Sequence, residues 1–152
     1  MNNVEFVKSV YAAFLSGGID KILAAADPNI EWRSNTDPTL LPWGGARKGV
    51  KQIAVYFSEL ALNVEIESFT PRDFSFGNGF VLVMGHTTGR MRRSGVRFED
   101  DWCHVFKLMG GKVMAFHEFV DTHALVQAFI GGDVHAIGLP GSAVETMAPR
   151  SH

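Results

Sequence analysis

The stretch "WCHVFKLMGGKVMAFHEFVD", Trp102 to Asp121, decides how the chain folds. It consists of two apolar strand-length runs around Gly110-Gly111, a pattern that specifies a β-hairpin. Within it, His104 and Glu118 stand among aromatic residues, where burial penalises charge. Side chains alternate along a strand, so Trp102, His104, Phe106 and Leu108 share one face. Met114, Phe116, Glu118 and Val120 share a face on the next strand. A two-residue Gly110-Gly111 turn sets His104 opposite His117. A three-residue loop, Met109-Gly110-Gly111 with Gly111 left-handed, sets His104 opposite Phe116 and Trp102 opposite Glu118. The second is favoured because it joins Phe106 and Phe116 in one aromatic wall.

Working towards the N-terminus, "VEIESFTPRDFSF", "GFVLVMGHTTGRM" and "VRFEDDWCHVFKL" are further strand-like runs. The short links "GNG" and "RSG" make them neighbours in an antiparallel meander. Pro71 marks a bulge or an edge in the first run. Phe80, Leu82, Met84, His86, Thr88 and Arg90 alternate on one face. A three-residue turn at Ser94-Gly95-Val96 puts that set on the His104 face, so that His86, His104 and Glu118 converge. The opposite face carries Val81, Val83, Cys103, Val105, Ala115 and Phe119. Both faces are then apolar, which predicts a second covering layer, most simply a second copy of the chain. The basic cluster "GRMRRSGVR", with "EDD" just beyond it, is read as a solvated hairpin end.

Before Asn63 the period is helical. Val7, Val10, Tyr11 and Phe14 follow an amphipathic spacing that Gly17-Gly18 stops. Asp20 caps a short second helix that Pro28 ends, "NIEWRS" is a brief strand, and "NTDPTLLPWGGARKG" is a loop. Ile53, Tyr56, Phe57 and Leu60 mark a third helix. After the hairpin, Asp121 caps a last helix, "HALVQAF". Helices first and a meander afterwards predict an α+β domain over residues 1–130, with helices packed on one face of a strongly curved antiparallel sheet. Such a sheet leaves a cone-shaped pocket. Residues 131–152 show no sustained period and are expected to form a tail or arm.

The 152 residues suffice for one real core, folding away roughly 68–70% of the unfolded surface. A net charge of −2, from 14 basic and 16 acidic residues, gives no basis for a nucleic-acid or membrane partner. Cys103 is the only cysteine, which excludes an intrachain disulfide. With no signal-peptide pattern at the start, a cytoplasmic location is expected. No stretch reaches the ~20 apolar residues of a membrane helix.

The order of these elements, with "YAAFLSGGIDKILAAADPNIEW", a G-x-x-x-G before the third helix, "WCHVFKLMGGKV" and "FHEFVDTHAL", resembles the SnoaL-like, ketosteroid-isomerase-like proteins of the nuclear transport factor 2-like superfamily. The likeness spans roughly residues 4 to 130, the size of one ordinary domain. It implies a pocket enzyme or binding protein, since the superfamily holds isomerases, cyclases, epoxide hydrolases, dehydratases and plain binding proteins. The base of ketosteroid isomerase falls near Trp32-Arg33, where no carboxylate stands. Its tyrosine falls near Val10 or Tyr11 and its second aspartate near His104. The terminal carboxylate of limonene epoxide hydrolase matches Glu118, and its arginine and aspartate fall around His86 and Thr88. SnoaL-type cyclases keep an acid–base carboxylate in the last strand, again at Glu118.

The candidate catalytic residues are therefore Glu118, His104 and His86. Each alone has a structural alternative, a buried residue satisfied by neighbours. Trp32, Trp43, Tyr56, Phe57, Trp102, Phe106 and Phe116 are the candidate ligand-binding residues, with core packing as the alternative. No metal and no cofactor is expected. Two histidines and a glutamate can make a facial triad, but no close ligand pair such as H-x-H supports one. The glycine stretches lack the lysine and hydroxyl residue of a phosphate loop. The expected function is cofactor-free acid–base chemistry (isomerase, cyclase, dehydratase or hydrolase type) on a mostly apolar organic molecule. The alternative is non-catalytic binding of a hydrophobic small molecule.

Overall fold

The computed structural model describes residues 2–131. The region expected to be a tail or arm lies, apart from Gly131, outside the described residues. The chain runs α1 (Asn3–Leu15), α2 (Ile19–Ala25), β1 (Ala26–Ser34), β2 (Gly45–Lys48), α3 (Gly49–Asn63), β3 (Val64–Gly77), β4 (Phe80–Met91), β5 (Arg97–Met109), β6 (Lys112–Phe119) and α4 (Thr122–Ile130). Six strands form one open sheet in the order β2-β1-β6-β5-β4-β3. Every pair is antiparallel except β1–β6. Among the described residues no helix is long and apolar enough to cross a membrane.

Local chemistry sets the element ends. The Asn2 side chain accepts from the Glu5 N–H at 2.9 Å and opens α1, satisfying one of the free amides of its first turn. Gly17, at φ 75°, takes the left-handed backbone that ends it. Asp121 caps α4 by accepting from the Ala124 N–H at 3.0 Å, as its sequence position predicts. The α2 cap is Gly18 rather than Asp20, and Pro28 lies inside β1 rather than ending the helix. The segment read as a loop contains the short strand β2, paired to β1. Pro71 lies on the edge strand β3 beside a register shift, so it marks both an edge and a bulge.

Two links decide which residues face the helices. At the β5–β6 hairpin, Gly110 and Gly111 are both left-handed, at φ 57° and 73°, giving a two-residue turn. A register shift follows: Leu108 pairs with Val113, but Lys107 pairs with Ala115, leaving Met114 as an extra residue. His104 therefore pairs with Glu118 and Phe106 with Phe116, which is neither of the two registers expected from the sequence. The bulge brings Glu118 and Phe116 to the His104 face, where an unbroken two-residue turn would have set His117. The β4–β5 link also decides a face. Met91 and Val96 are hydrogen-bonded, so the loop is the four residues Arg92 to Gly95, not three. His86 consequently pairs with Asp101, and its whole alternating set turns away from His104.

The concave face carries α1 against β3 and β4, α3 against β1, β2 and β3, and α4 against β4 and β5. Val81 and Val83, expected on the outer face, lie fully buried on this inner one. Gly85 permits the close packing at the centre of the sheet. A Cβ there would overlap the Trp102 ring and stand 2.8 Å from the Thr70 carbonyl oxygen. Gly85→Ala must displace the indole or the edge strand. It should lower the free energy of unfolding by about 1–3 kcal/mol, the usual range for overpacking, as measured by urea denaturation. A wild-type midpoint would show that the sheet yields at no cost.

Candidate functional site

Between the helices and the sheet lies a cavity of about 110 Å³. That is several times the roughly 10–15 Å³ that one water requires. All seven residues expected to bind ligand line it: Trp32, Trp43, Tyr56, Phe57, Trp102, Phe106 and Phe116. His104 and Glu118 line it as well; His86 does not. Among the described residues no lysine or arginine is in its wall.

The polar groups form a chain across the cavity floor. The Tyr56 hydroxyl, from α3, donates to Glu118 Oε1 at 2.9 Å. Glu118 Oε2 stands 3.8 Å from His104 Nε2, beyond hydrogen-bond distance. On its far side His104 Nδ1 is 2.8 Å from the Tyr11 hydroxyl, from α1. The four side chains come from α1, α3, β5 and β6 and are all less than 10% exposed. Trp102 lies flat on the His104 ring, with centroids 4.0 Å apart and planes 17° from parallel. The indole N–H of Trp102 is itself satisfied by Thr87 Oγ1 at 2.8 Å.

Burial governs the charge states. It pushes the Glu118 carboxyl up to about 7, against the hydrogen bond from Tyr56, which favours the charged form. The Ser34 hydroxyl, on the neighbouring β1 position, also favours the carboxylate but lacks hydrogen-bonding geometry. Burial lowers His104 to about 3, so its ring is neutral at physiological pH. At physiological pH the His104 ring is thus neutral, while Glu118 titrates near neutrality and passes between its acid and carboxylate forms.

Two members of the site were not assigned roles from the sequence. Tyr11 is read there as part of the α1 apolar stripe and, through the resemblance, as lying near the ketosteroid-isomerase tyrosine, but it is not among the candidate site residues. Asp100 is read with "EDD" as solvated, yet it is 5% exposed and lines the cavity. Alternation explains the difference: Glu99 and Asp101 point outward, and Asp100 points in. Burial pushes its carboxyl up to about 6, opposed by the Asp121 N–H that it accepts at 2.7 Å. His86 sits on the opposite sheet face, with Nδ1 2.7 Å from Asp101 Oδ1 and Nε2 3.1 Å from Glu99 Oε1. These acids raise its pKa, and the expected convergence with Glu118 does not occur.

A sequence profile described as a SnoaL-like domain matches residues 7–116. The chain belongs to the SnoaL-like family. The match covers most of both the cavity wall and the sheet, and the family includes polyketide cyclases and isomerases. The SnoaL-like chain is similar to an NTF2-like protein of Burkholderia xenovorans LB400, with 33% identity and a TM-score of 0.75, covering 84% of this chain and 95% of that one. An NTF2-like protein of Burkholderia thailandensis E264 shares 26% identity at a TM-score of 0.73, covering 82% and 94%. A structure of TerC crystallised with polyporic acid has the same fold at 23% identity and a TM-score of 0.74, covering 84% and 98%. No functionally curated protein matches the sequence.

The buried carboxyl has a measurable cost. Folded Glu118 keeps its proton up to about pH 7, whereas the unfolded chain releases it near the ordinary 4.5. Within that window the unfolded state binds fewer protons, so this group lowers stability as pH rises. His104 acts oppositely, adding stability as pH climbs from about 3 towards 6.5. Glu118→Gln removes only the first contribution. Its unfolding free energy relative to wild type should rise by roughly 3 kcal/mol between pH 4 and pH 8, measured by denaturant titration. A difference that stays flat with pH would mean that Glu118 ionises normally.

Proposed function

We propose that this SnoaL-like protein is a cofactor-free acid–base enzyme acting on a neutral, mostly apolar organic substrate, with Glu118 as its proton-transfer group. One observation carries the reading. Glu118 is a buried carboxyl in an aromatic cavity, with one oxygen held by Tyr56 and no cation to pin the other. Such a group holds or gives up a proton near neutral pH, where general acid–base catalysis is most effective. The neutral His104, oriented by Tyr11, stands beside the second oxygen and donates or accepts according to its tautomer. The surrounding rings exclude water and strengthen each polar contact.

Isomerisation, aldol-type cyclisation and dehydration share one step, loss of a proton from carbon next to a carbonyl. That step is accessible without knowing the natural substrate, as exchange of the α-protons of 2-tetralone with D₂O followed by ¹H NMR. Glu118→Gln, with its fold intact, should lose about 10²–10⁴-fold in exchange rate. Undiminished exchange in that variant removes Glu118 from the chemistry. The second reading, binding without turnover, is favoured by the aromatic content of the wall. It predicts a compound that raises the thermal midpoint yet returns unchanged.

The outer sheet face supports a further proposal, that two copies associate. Leu82, Met84 and Phe119 are 43%, 59% and 42% exposed there. Along the outer side of β5 the order is Glu99, Asp101, Cys103, Val105, Lys107, acidic at one end and basic at the other. A twofold axis near Cys103 sets the acidic end of one copy against Lys107 of the next, an isologous and charge-complementary contact. Sedimentation equilibrium at micromolar concentration should give a dimer, and Met84→Glu a monomer. A wild-type monomer would end this proposal.

A further inference from the structure

The cavity contains a second carboxyl that the proposed function leaves unused. Asp100 lies on the inner side of β5, two alternations from His104. One of its oxygens accepts the Asp121 N–H at 2.7 Å, at the junction between β6 and α4. Among the described residues its other oxygen has no hydrogen-bond partner, although the residue is 5% exposed and lines the cavity. Among the described residues no lysine or arginine compensates it from the wall. The Arg47 guanidinium lies over the Tyr56 ring, 5.9 Å from its centroid, and donates to the Pro42 and Gln52 carbonyls. Fastening a strand to a helix needs one acceptor, which Asn or Ser supplies without burying an acid. The unpaired oxygen serves something else.

We infer that Asp100 is the second proton-transfer residue of this cavity, working on the same substrate as Glu118, and that this substrate carries a carbonyl with an adjacent C–H and no anionic group. The inference rests on the proposed function for its first carboxyl. Asp100 removes the proton from carbon, and the C–H electron pair becomes the C=C of the enol. The carbonyl π pair takes the proton from Glu118. The products are the neutral enol, protonated Asp100 and ionised Glu118, so charge and atoms balance and no oxidant is involved. Return of a proton from Asp100 to a different carbon of the same system, with Glu118 recovering its own, completes an isomerisation. The two acids divide the roles by environment: burial raises Glu118 to about 7 and Asp100 to about 6, so Asp100 ionises first. A wall without lysine or arginine makes an anionic substrate unfavourable, because it would meet uncompensated acids in a low dielectric.

The test compares wild type, Asp100→Asn and Glu118→Gln for exchange of the 2-tetralone α-protons with D₂O. Asn keeps an acceptor for the Asp121 N–H, so its thermal midpoint should stay close to wild type. Both variants should lose at least about 100-fold. A wild-type rate in Asp100→Asn alongside a dead Glu118→Gln overturns this inference and leaves the proposed function standing. An active Glu118→Gln overturns the proposed function and, with it, the two-acid step, whatever the rate of Asp100→Asn. No exchange by the wild-type protein overturns both. A second measurement is independent of any variant's folding. The side-chain carboxyl carbon of Asp100, followed by ¹³C NMR in the wild-type protein, should shift when 2-tetralone saturates the cavity. An unmoved Asp100 signal with a shifted Glu118 signal overturns the inference.

Discussion

The pairing of His104 with Glu118 across β5 and β6 is the constraint on which the rest of the site depends. It sets a neutral imidazole beside a carboxyl that burial has raised towards neutral pH, in a wall of aromatic rings, and it exists because one extra residue, Met114, interrupts the register. Without that bulge the two-glycine turn would place His117 opposite His104 and turn Glu118 to the other face. The bulge thus converts a turn of fixed geometry into a sheet whose inner face carries both groups. It also adds to the bending of the sheet, and bending opens the space beneath the helices.

Much of this is legible in the residues. The helical spacing of Val7, Val10, Tyr11 and Phe14 and the alternation from Trp102 to Leu108 specify which side of each element is apolar, and the observed helices and strands follow them. That His104 shares a face with Phe106, and Glu118 with Phe116, follows from parity alone, but the turn and its bulge decide that the two pairs face the same way. Parity fails where a loop length is open. Between β4 and β5 the sequence allows a three-residue or a four-residue link, and the difference sends His86 to one face or the other. Nothing local favours the longer loop; the match of Val81 and Val83 to the inner wall decides it, and that is a tertiary effect. Asp100 escapes notice for a related reason. In "EDD" three acids in a row look solvated, yet a strand turns its middle one inward. The parallel contact of β1 with β6 is invisible for another reason, since residues so far apart in sequence carry no local pairing signal.

The site is costly to the fold that carries it. Burial penalises the charged forms of two acids and a histidine, and each would be cheaper as an apolar residue of similar volume. Among the described residues the indole N–H of Trp32 and the hydroxyl of Ser34 are buried without a protein partner, a state that costs about 1–3 kcal/mol for each group where no water or ligand enters. Trp32 lines the cavity, and Ser34 pairs with Glu118 across the parallel β1–β6 contact. Unsatisfied polar groups are few in stable folds, so their gathering around one hollow sets this region apart from ordinary core.

The same physics separates the two carboxyls from the histidine outside. His86 is solvent-reachable between Asp101 and Glu99, where its charge is stabilised by partners and costs little. Glu118 and Asp100 have only a hydroxyl or a single amide to hold them, in a medium that penalises their charge. A polar pair on an exposed sheet face tunes stability or association and is easily replaced. A carboxyl that burial has moved towards neutrality acquires a property that surface residues lack: a small change in its surroundings, such as the arrival of a carbonyl oxygen, suffices to move its proton. That sensitivity follows from taking an acid out of water without supplying a cation, and it belongs to the interior of this protein rather than to its more highly charged exterior.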